Sequence, residues 1–171
     1  MDEILPLVDE TGRVVGKASR ADVHGNPRLL HPVVHLHIFD KQGRLLLQRR
    51  SLKKDLFPGF WDTAVGGHLS WGEDNFLALR RECQEELGIN PTEASFCYSY
   101  ILRNTYESEY VYTYVLESEG PFKINHEEVA EIRFFNLAEL EAMKGKGLLT
   151  PNAEEELVRL ELFIGGVNGD T

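Results

Sequence analysis

Residues Gly67 to Ile89 read GHLSWGEDNFLALRRECQEELGI, and this pattern of glycines, apolar residues and acids frames the rest of the chain. From Gly72 to Leu87 the apolar residues recur at three- and four-residue steps, which predicts a helix with one apolar face. Gly88 suits the position that ends such a helix in the left-handed conformation. The opposite face is rich in carboxylates, so the helix can pack on a core while presenting acids to a cleft.

Three glutamates of this predicted helix, Glu82, Glu85 and Glu86, fall within about 100° of arc. Carboxylates gathered at one point repel each other and raise one another's pKa, and a divalent cation removes that penalty. Because the ligands are oxygens, a hard ion such as Mg²⁺ or Mn²⁺ is favoured over Zn²⁺. The loop before the helix can add the carbonyl of Gly67 to this site. The alternative is an exposed acidic helix face, a common feature of proteins.

The spacing of the whole stretch resembles the Nudix box, whose positions are matched by Gly67, Glu73, Arg81, Glu82, Glu85, Glu86 and Gly88. The resemblance implies an α/β fold, an α/β/α sandwich on a mixed β-sheet. It also implies a metal-dependent hydrolase that cuts a diphosphate linkage in a nucleoside or other organic diphosphate. In that family the glutamates matching Glu82, Glu85 and Glu86 hold the metals, together with the carbonyl matching Gly67.

Metal-assisted hydrolysis also needs a carboxylate that takes the proton of the attacking water. The candidates are Glu82, Glu85 and a later acid, Glu128. Arg81 completes the catalytic set, and we expect it to pair with Glu73 two helical turns away and so fix the loop against the helix.

A second resemblance spans about residues 5–140 and is carried by short motifs, among them LLQRRS at 46–51 and PGFW at 58–61. These motifs are similar to those of isopentenyl-diphosphate isomerases and their hydrolase-like relatives. The isomerases bind a metal through three histidines and two glutamates, and the matching positions here are His24, His31, His68, Glu107 and Glu109. Such a cage would suit manganese, iron or zinc.

Two departures from the isomerases favour a hydrolase. Gly66 stands where the isomerase has its catalytic cysteine, and this chain keeps the full set of box glutamates that the isomerase branch loses. An isomerase and a non-catalytic nucleotide-binding module remain the alternative functions. For the cage, the alternative is that His24, His31 and His68 are loop residues satisfied by hydrogen bonds, with the two glutamates as strand-face charges.

Arg50 and Lys54 are the candidates for binding the phosphate oxygens that the metal does not contact. The alternative is a basic strand end that balances nearby acids. His35 and His37 share one strand face and can border the cleft or serve as half-buried hydrogen-bonding groups. Three aromatic residues can stack on a base, cover an isoprenoid tail or pack in the core: Phe57, Phe60 and Trp61.

The rest of the chain predicts one domain over residues 1–171, with an N-terminal extension over about residues 1–30 and a loose tail over residues 165–171. Residues 5–8 and 14–15 flank a turn and predict a hairpin within that extension. Further strands are predicted at 33–40, 44–49, 98–102, 110–116 and 130–135, and further helices at 137–143 and 153–163.

Composition limits the partners. The 171 residues carry a net charge of −10, and the field of such a chain repels nucleic-acid polymers and anionic membranes. A small diphosphate substrate is compatible with this charge, because a bound cation reverses the local sign. With two cysteines in no metal or redox spacing and no run of about 18 apolar residues, a cytoplasmic protein is expected. A homodimer is a family-level expectation.

Overall fold

The computed structural model describes residues 2–168, with side chains described as far as residue 162. The strands are β1 (Ile4–Val8), β2 (Val14–Ser19), β3 (Leu30–Phe39), β4 (Leu45–Arg50), β5 (Trp61–Thr63), β6 (Val65–His68), β7 (Ser95–Arg103), β8 (Ser108–Glu117) and β9 (Val129–Phe135). The helices are α1 (Arg20–Val23), α2 (Asn75–Leu87), α3 (Leu137–Met143) and α4 (Pro151–Asn168). The predicted hairpin, strands and helices are all present, and the short elements α1, β5 and β6 were not predicted.

Strand β3 is the centre of a mixed sheet. It runs parallel to β8, beginning at the pair Leu30 and Ser108, and antiparallel to β4 and β6. Strand β7 extends the sheet beyond β8, while β5 and β9 both pair with β4. The mixed sheet predicted from the sequence is confirmed.

Neighbouring residues of β4 show that helices cover both faces of the sheet. Leu46 belongs to a buried cluster with Leu79 of α2. Leu47 belongs to a different buried cluster with Leu157 of α4. Because successive strand residues project to opposite sides, α2 lies on one face and α3 and α4 on the other, which confirms the α/β/α sandwich.

The sequence determines both ends of α2. The side chain of Asp74 accepts a hydrogen bond from the backbone N–H of Leu77 at 2.8 Å and caps the first turn. Gly88 ends the helix with a φ of 64°, a conformation that side chains disfavour. The helix starts at Asn75, so Gly72, where the helical pattern was predicted to begin, belongs to the preceding loop.

The N-terminal hairpin is attached to the loop that precedes α2. The backbone N–H of Trp71 donates to the carbonyl of Ile4 at 2.8 Å. The hydroxyl of Ser70 donates to the carboxylate of Glu3 at 2.5 Å. The extension therefore supports the loop that the box glycines define, and it brings Glu3 to the cleft described below.

The end of α4 corrects one prediction. The helix continues through residues 165–168, where a loose tail was expected, and residues 169–171 lie outside the described part of the chain. Extending an existing helix costs far less than starting one, so two glycines did not stop it. Within residues 2–168, no helix is long and apolar enough to cross a bilayer.

Candidate active site

A cleft of about 560 Å³ collects side chains from β6, α2, the start of β8 and the loop after β4. Every site residue predicted from the sequence lines this cleft except His31. His31 is fully buried, and its ring centroid lies 4.9 Å from that of His68, which does line the cleft. The predicted residues that line it are His24, Arg50, Lys54, Gly67, His68, Arg81, Glu82, Glu85, Glu86, Glu107, Glu109 and Glu128.

Glu86 is the most enclosed of the helix glutamates, with 8% of its surface exposed. Its Oε2 accepts hydrogen bonds from the backbone N–H of Gly66 and the side-chain amide of Gln48, both at 3.3 Å. Burial raises the pKa of Glu86 well above its usual value, and the charge of Glu82 raises it further. Two long hydrogen bonds do not offset the cost of burying the charge of this carboxylate, so a cation next to Glu86 would stabilise its ionised form.

Glu82 and Glu85 share the site but not the environment. Burial raises the pKa of Glu82 to about 7, although Arg81 donates to its Oε1 at 2.7 Å and opposes the rise. The side chain of Glu82 is 14% exposed, while that of Glu85 is 55% exposed and reaches solvent. The three glutamates therefore form a graded series from the core to the open cleft.

This cluster fits a hard divalent cation. Its side-chain ligands are all carboxylates, whose burial and mutual repulsion a cation would relieve. A Cβ atom at Gly67 would lie 2.1 Å from Cδ of Glu82, so only glycine lets that carboxylate lie against the backbone of β6. The close approach places the backbone of Gly67 at the cluster.

Arg81 connects the loop before α2, strand β6 and α2 itself. Its Nε and Nη2 donate to the two carboxylate oxygens of Glu73, each at 2.9 Å, which confirms the predicted pair. Nη2 also donates to the carbonyl of His68 at 2.9 Å, and Nη1 donates to Glu82. Since its donors are used on other groups of the protein, Arg81 is placed to hold these groups in position.

A second group of potential ligands lies in the same region. One ligand atom from each of His31, His68 and Glu107 falls within 4.8 Å of the other two. Nδ1 of His31 lies 3.3 Å from the carbonyl of Leu29, while its buried Nε2 has no hydrogen-bond partner among the described residues. A buried ring nitrogen without a partner is costly unless a ligand occupies it, so this group also fits a metal.

The two histidines of this group favour the neutral form. Burial lowers the pKa of His68 to about 3, and the neighbouring His31 contributes to the lowering. Burial also lowers the pKa of His31. A neutral imidazole keeps a lone pair for coordination, which suits manganese, iron or zinc.

The other two residues of the predicted cage lie at its margin. Nδ1 of His24 is 3.6 Å from Oε1 of Glu107, and its side chain is 44% exposed. Glu109 is buried, and Asn152 donates to its Oε1 at 3.1 Å. Burial raises the pKa of Glu109 to about 7, and the charge of Glu107 raises it further. Neither His24 nor Glu109 belongs to the compact group of three, although both line the cleft.

The predicted phosphate-binding cations already have acidic partners. Nη1 of Arg50 lies 3.5 Å from Oδ2 of Asp62, and its Nε donates to the carbonyl of Leu56 at 3.0 Å. Lys54 forms an ion pair with Glu128. Both cations therefore balance local acids while facing the cleft.

Sequence reasoning did not predict the contribution of α4. Glu156 is fully buried and contacts Nδ1 of His35 at 2.7 Å. Burial alone would lower the pKa of His35, but the hydrogen bond and charge of Glu156 outweigh it and the pKa is raised. His35 lines the cleft, whereas His37 is fully buried away from it. The i, i+4 spacing of Asn152 and Glu156 is the signal that could have indicated a polar helix face.

The aromatic residues divide between cleft and core. The rings of Phe57 and Tyr106 meet edge to face at 5.5 Å, and both line the cleft. Phe60 packs against Phe57 at 5.4 Å. Trp61 packs instead against Phe135, at 5.0 Å, beside a buried cluster. Core packing therefore explains Trp61, while Phe57 is placed to contact a ligand.

Known proteins share this sequence pattern. The family model for the NUDIX domain matches residues 29–157. An isopentenyl-diphosphate Delta-isomerase from Streptomyces griseus is 38% identical over 143 residues, which cover 80% of this chain and 73% of the relative. An uncharacterized Nudix hydrolase from Listeria monocytogenes is 34% identical over 149 residues, which cover 85% of this chain and 86% of the relative.

A solved structure shares the fold over nearly the full chain. The crystal structure of DR0079 from Deinococcus radiodurans matches with a TM-score of 0.78 and 28% identity, covering 92% of this chain and 98% of that one. With the helix glutamates, the Gly67 approach and the Arg81–Glu73 pair in place, the chain belongs to the Nudix family.

Proposed function

We propose that the protein is a metal-dependent hydrolase that cleaves a diphosphate linkage in a small organic diphosphate, of the nucleoside or another type. The observation that carries the proposal is that one cleft is lined by both acidic and basic side chains. Three helix glutamates and two candidate phosphate-binding cations, Arg50 and Lys54, line the same cavity. A diphosphate needs both kinds of group, since its charge is neutralised by metal and by fixed cations together.

Glu82, Glu85 and Glu86 would hold Mg²⁺ or Mn²⁺, with the carbonyl of Gly67 as a further ligand. When bound, such an ion supplies charge for the phosphoryl oxygens and lowers the pKa of a water molecule. The protein contributes the fixed positions of these oxygens, because the Arg81 network and the Gly67 contact leave Glu82 little freedom.

Three carboxylates compete for the role of general base. Glu82 accepts a 2.7 Å hydrogen bond from Arg81, whereas Glu85 lies 3.6 Å from the same guanidinium. Glu128 forms an ion pair with Lys54. Glu85 is the most exposed of the helix glutamates and is the most open to water. We therefore rank Glu85 first as the group that accepts the proton of the attacking water.

Arg50 and Lys54 would bind the phosphate oxygens that face away from the metal. A phosphate carries more charge than the carboxylates of Asp62 and Glu128, so it can displace them from their cations. Arg50 offers a planar pair of donors, whereas Lys54 offers a point charge. The rings of Phe57 and Tyr106 then lie beside whatever group extends from the diphosphate.

An isomerase is the second candidate, because relatives named as isopentenyl-diphosphate isomerases match most of this chain and the histidine group fits a second metal. The position of the isomerase thiol is occupied by Gly66, which has no proton-transferring side chain. Complete helix glutamates without that thiol support hydrolysis over isomerisation.

A substrate panel tests the proposal. Nucleoside diphosphate derivatives, sugar-linked diphosphates and isoprenoid diphosphates are incubated with Mg²⁺ or Mn²⁺, and the products are identified by mass. We expect metal-dependent release of a phosphate-containing product from at least one class, and its loss in Glu86→Gln. Binding without turnover across the panel would instead favour a ligand-binding module, and conversion of isopentenyl diphosphate to its isomer without hydrolysis would establish the isomerase.

A further inference from the structure

The most unusual buried group outside the acidic cluster is Glu156 of α4, which has no exposed surface. Three donors surround its carboxylate: the hydroxyl of Tyr98 at 2.7 Å, the hydroxyl of Thr113 at 2.8 Å and Nδ1 of His35 at 2.7 Å. Nε2 of His37 lies 3.7 Å away, beyond hydrogen-bonding distance, and adds only an electrostatic contact. These groups come from β3, β7 and β8, so one carboxylate connects α4 to three strands.

Packing alone does not explain a carboxylate at this position. Removing a charge from water is costly, and apolar residues of similar volume generally stabilise a core as well as a buried ion pair does. Neighbouring positions of α4 are apolar where the helix only packs, as at Leu157 and Leu160. The buried carboxylate of Glu156 therefore indicates a role in addition to stabilising the fold.

The chain of contacts leads from Glu156 to the cleft. An ionised carboxylate only accepts hydrogen bonds, so Nδ1 of His35 carries a hydrogen toward Glu156. On the other side of the ring, Nε2 lies 3.4 Å from the amide nitrogen of Asn152. The same amide nitrogen donates to Oε1 of Glu109 at 3.1 Å. Asn152 has two amide hydrogens, so it can serve Glu109 and an unprotonated Nε2 together.

Asn152 and Glu156 are one helical turn apart and lie on the same side of α4. Glu109 is 5% exposed and stands at the end of this chain, on the cleft. Its Oε1 is taken by Asn152. Glu109 is the partner of His31 in the pairing of β3 with β8, and it follows Glu107 by two residues, so it lies beside two members of the group of His31, His68 and Glu107.

We propose that Glu156, His35 and Asn152 form a relay that holds one oxygen of Glu109, so that its other oxygen, Oε2, serves as a ligand in the second metal site. Hydrogen bonds to the outer side of metal ligands fix their orientation and tune the affinity of the site. Glu156, His35 and Asn152 are thus positioning residues that act through Glu109. The relay depends on the second metal site and does not depend on the hydrolytic reaction.

Metal binding by the full-length, metal-free protein tests the relay without any turnover. Mn²⁺ alone is titrated into the protein, and its binding is followed by electron paramagnetic resonance. The class of binding site that is lost in His68→Ala is defined as the second site. We expect Asn152→Leu, which keeps the volume but lacks the donor, to weaken that class about 10- to 100-fold. Glu156→Gln should weaken it in the same direction, while the class that depends on Glu86 is unchanged.

Glu155→Gln is the matched control, because Glu155 neighbours Glu156 in sequence but pairs with Arg159 near the surface. It should leave both classes of site at the wild-type affinity. The melting temperature of each variant reports whether the fold is kept. Because Asn152 is only half-buried, Asn152→Leu still tests the relay if Glu156→Gln unfolds. The relay is overturned if folded Asn152→Leu binds Mn²⁺ as the wild type does, if both classes weaken equally, or if the wild type has no second class.

Discussion

Arg81 binds Glu73 through two parallel hydrogen bonds, Nε to Oε2 and Nη2 to Oε1, each 2.9 Å long. The same guanidinium reaches the carbonyl of His68 and the carboxylate of Glu82. One side chain thus joins the loop before α2, the end of β6 and a glutamate of the acidic cluster. The geometry of the acidic cluster depends on this network as much as on the helix itself.

Arg81→Lys keeps the charge but removes the planar fork, so the lysine cannot form both bonds to Glu73. We expect the free energy of unfolding to fall by about 2 kcal/mol and kcat/KM to fall by about tenfold or more. Thermal unfolding and steady-state kinetics measure the two effects. Arg80→Lys, on the exposed side of α2, is the control and should change neither. If Arg81→Lys and Arg80→Lys have the same free energy of unfolding and the same kcat/KM, Arg81 does not hold the acidic cluster in position.

The acidic cluster makes the stability of the metal-free protein depend on pH. Burial raises the pKa of Glu82 from 4.5 to about 7. Between these values the folded state keeps a proton that the unfolded chain has lost, so this group's contribution to stability falls as the pH rises. Glu82→Gln removes that effect, and we expect the metal-free variant to exceed the wild type by about 1–3 kcal/mol at pH 8 and not at pH 4. Denaturant titrations at both pH values measure it.

Metal should reverse this order. A cation that binds only the folded state stabilises it in proportion to its occupancy, and the wild type has one more carboxylate for it than Glu82→Gln. We therefore expect saturating Mg²⁺ at pH 8 to raise the melting temperature of the wild type above that of the variant. A metal-free wild type that is already the more stable of the two at pH 8 would contradict the assignment.

Arg50 and Arg49 are neighbours in β4 with different surroundings, which makes them a matched pair. Arg50 lines the cleft, while Arg49 is directed to the carbonyl of Gly59 and to Glu131. We expect Arg50→Ala to raise KM for the diphosphate substrate about 10- to 100-fold with a smaller change in kcat. Arg49→Ala should leave both constants within about twofold. If the two variants have the same KM, Arg50 does not bind the phosphate.

Gly66 is not required by the backbone. A Cβ atom there would lie 3.4 Å from Cδ2 of His35 and 3.5 Å from Oγ1 of Thr63, which are ordinary contacts. We expect Gly66→Cys to fold with a nearly unchanged melting temperature and to keep its hydrolytic activity. The wild type, which has no thiol at position 66, should form no dimethylallyl diphosphate from isopentenyl diphosphate when the reaction is followed by NMR. Isomerisation by the wild type would contradict the hydrolase assignment.

The sequence was most informative where local geometry determines the result. Helical periodicity places Glu82, Glu85 and Glu86 on one side of α2 whatever the rest of the chain does, and Gly88 ends that helix as expected. The pairing of Arg81 with Glu73 was also predicted, although Glu73 lies in the loop before α2 and not two turns away along the helix. The sequence could not show that Glu86 is buried and Glu85 exposed, because that difference depends on how α2 docks against β6.

Contacts between distant parts of the chain were not predictable. His35 and Glu156 are 121 residues apart, and their contact depends on how α4 docks on β3. Asn152 carries no chemical signal until that docking brings it to Glu109. The short strands β5 and β6, with three and four residues, contain too little alternation to be recognised.

The most direct test of the account is an anomalous difference map from crystals soaked in Mn²⁺. We predict a peak within coordination distance, about 2.0–2.6 Å, of carboxylate oxygens from Glu82 and Glu86 and of the carbonyl of Gly67, and no such peak in Glu86→Gln. A fully soaked crystal in which these carboxylates bind no ion would contradict the claim that the acidic side of α2 is a metal site.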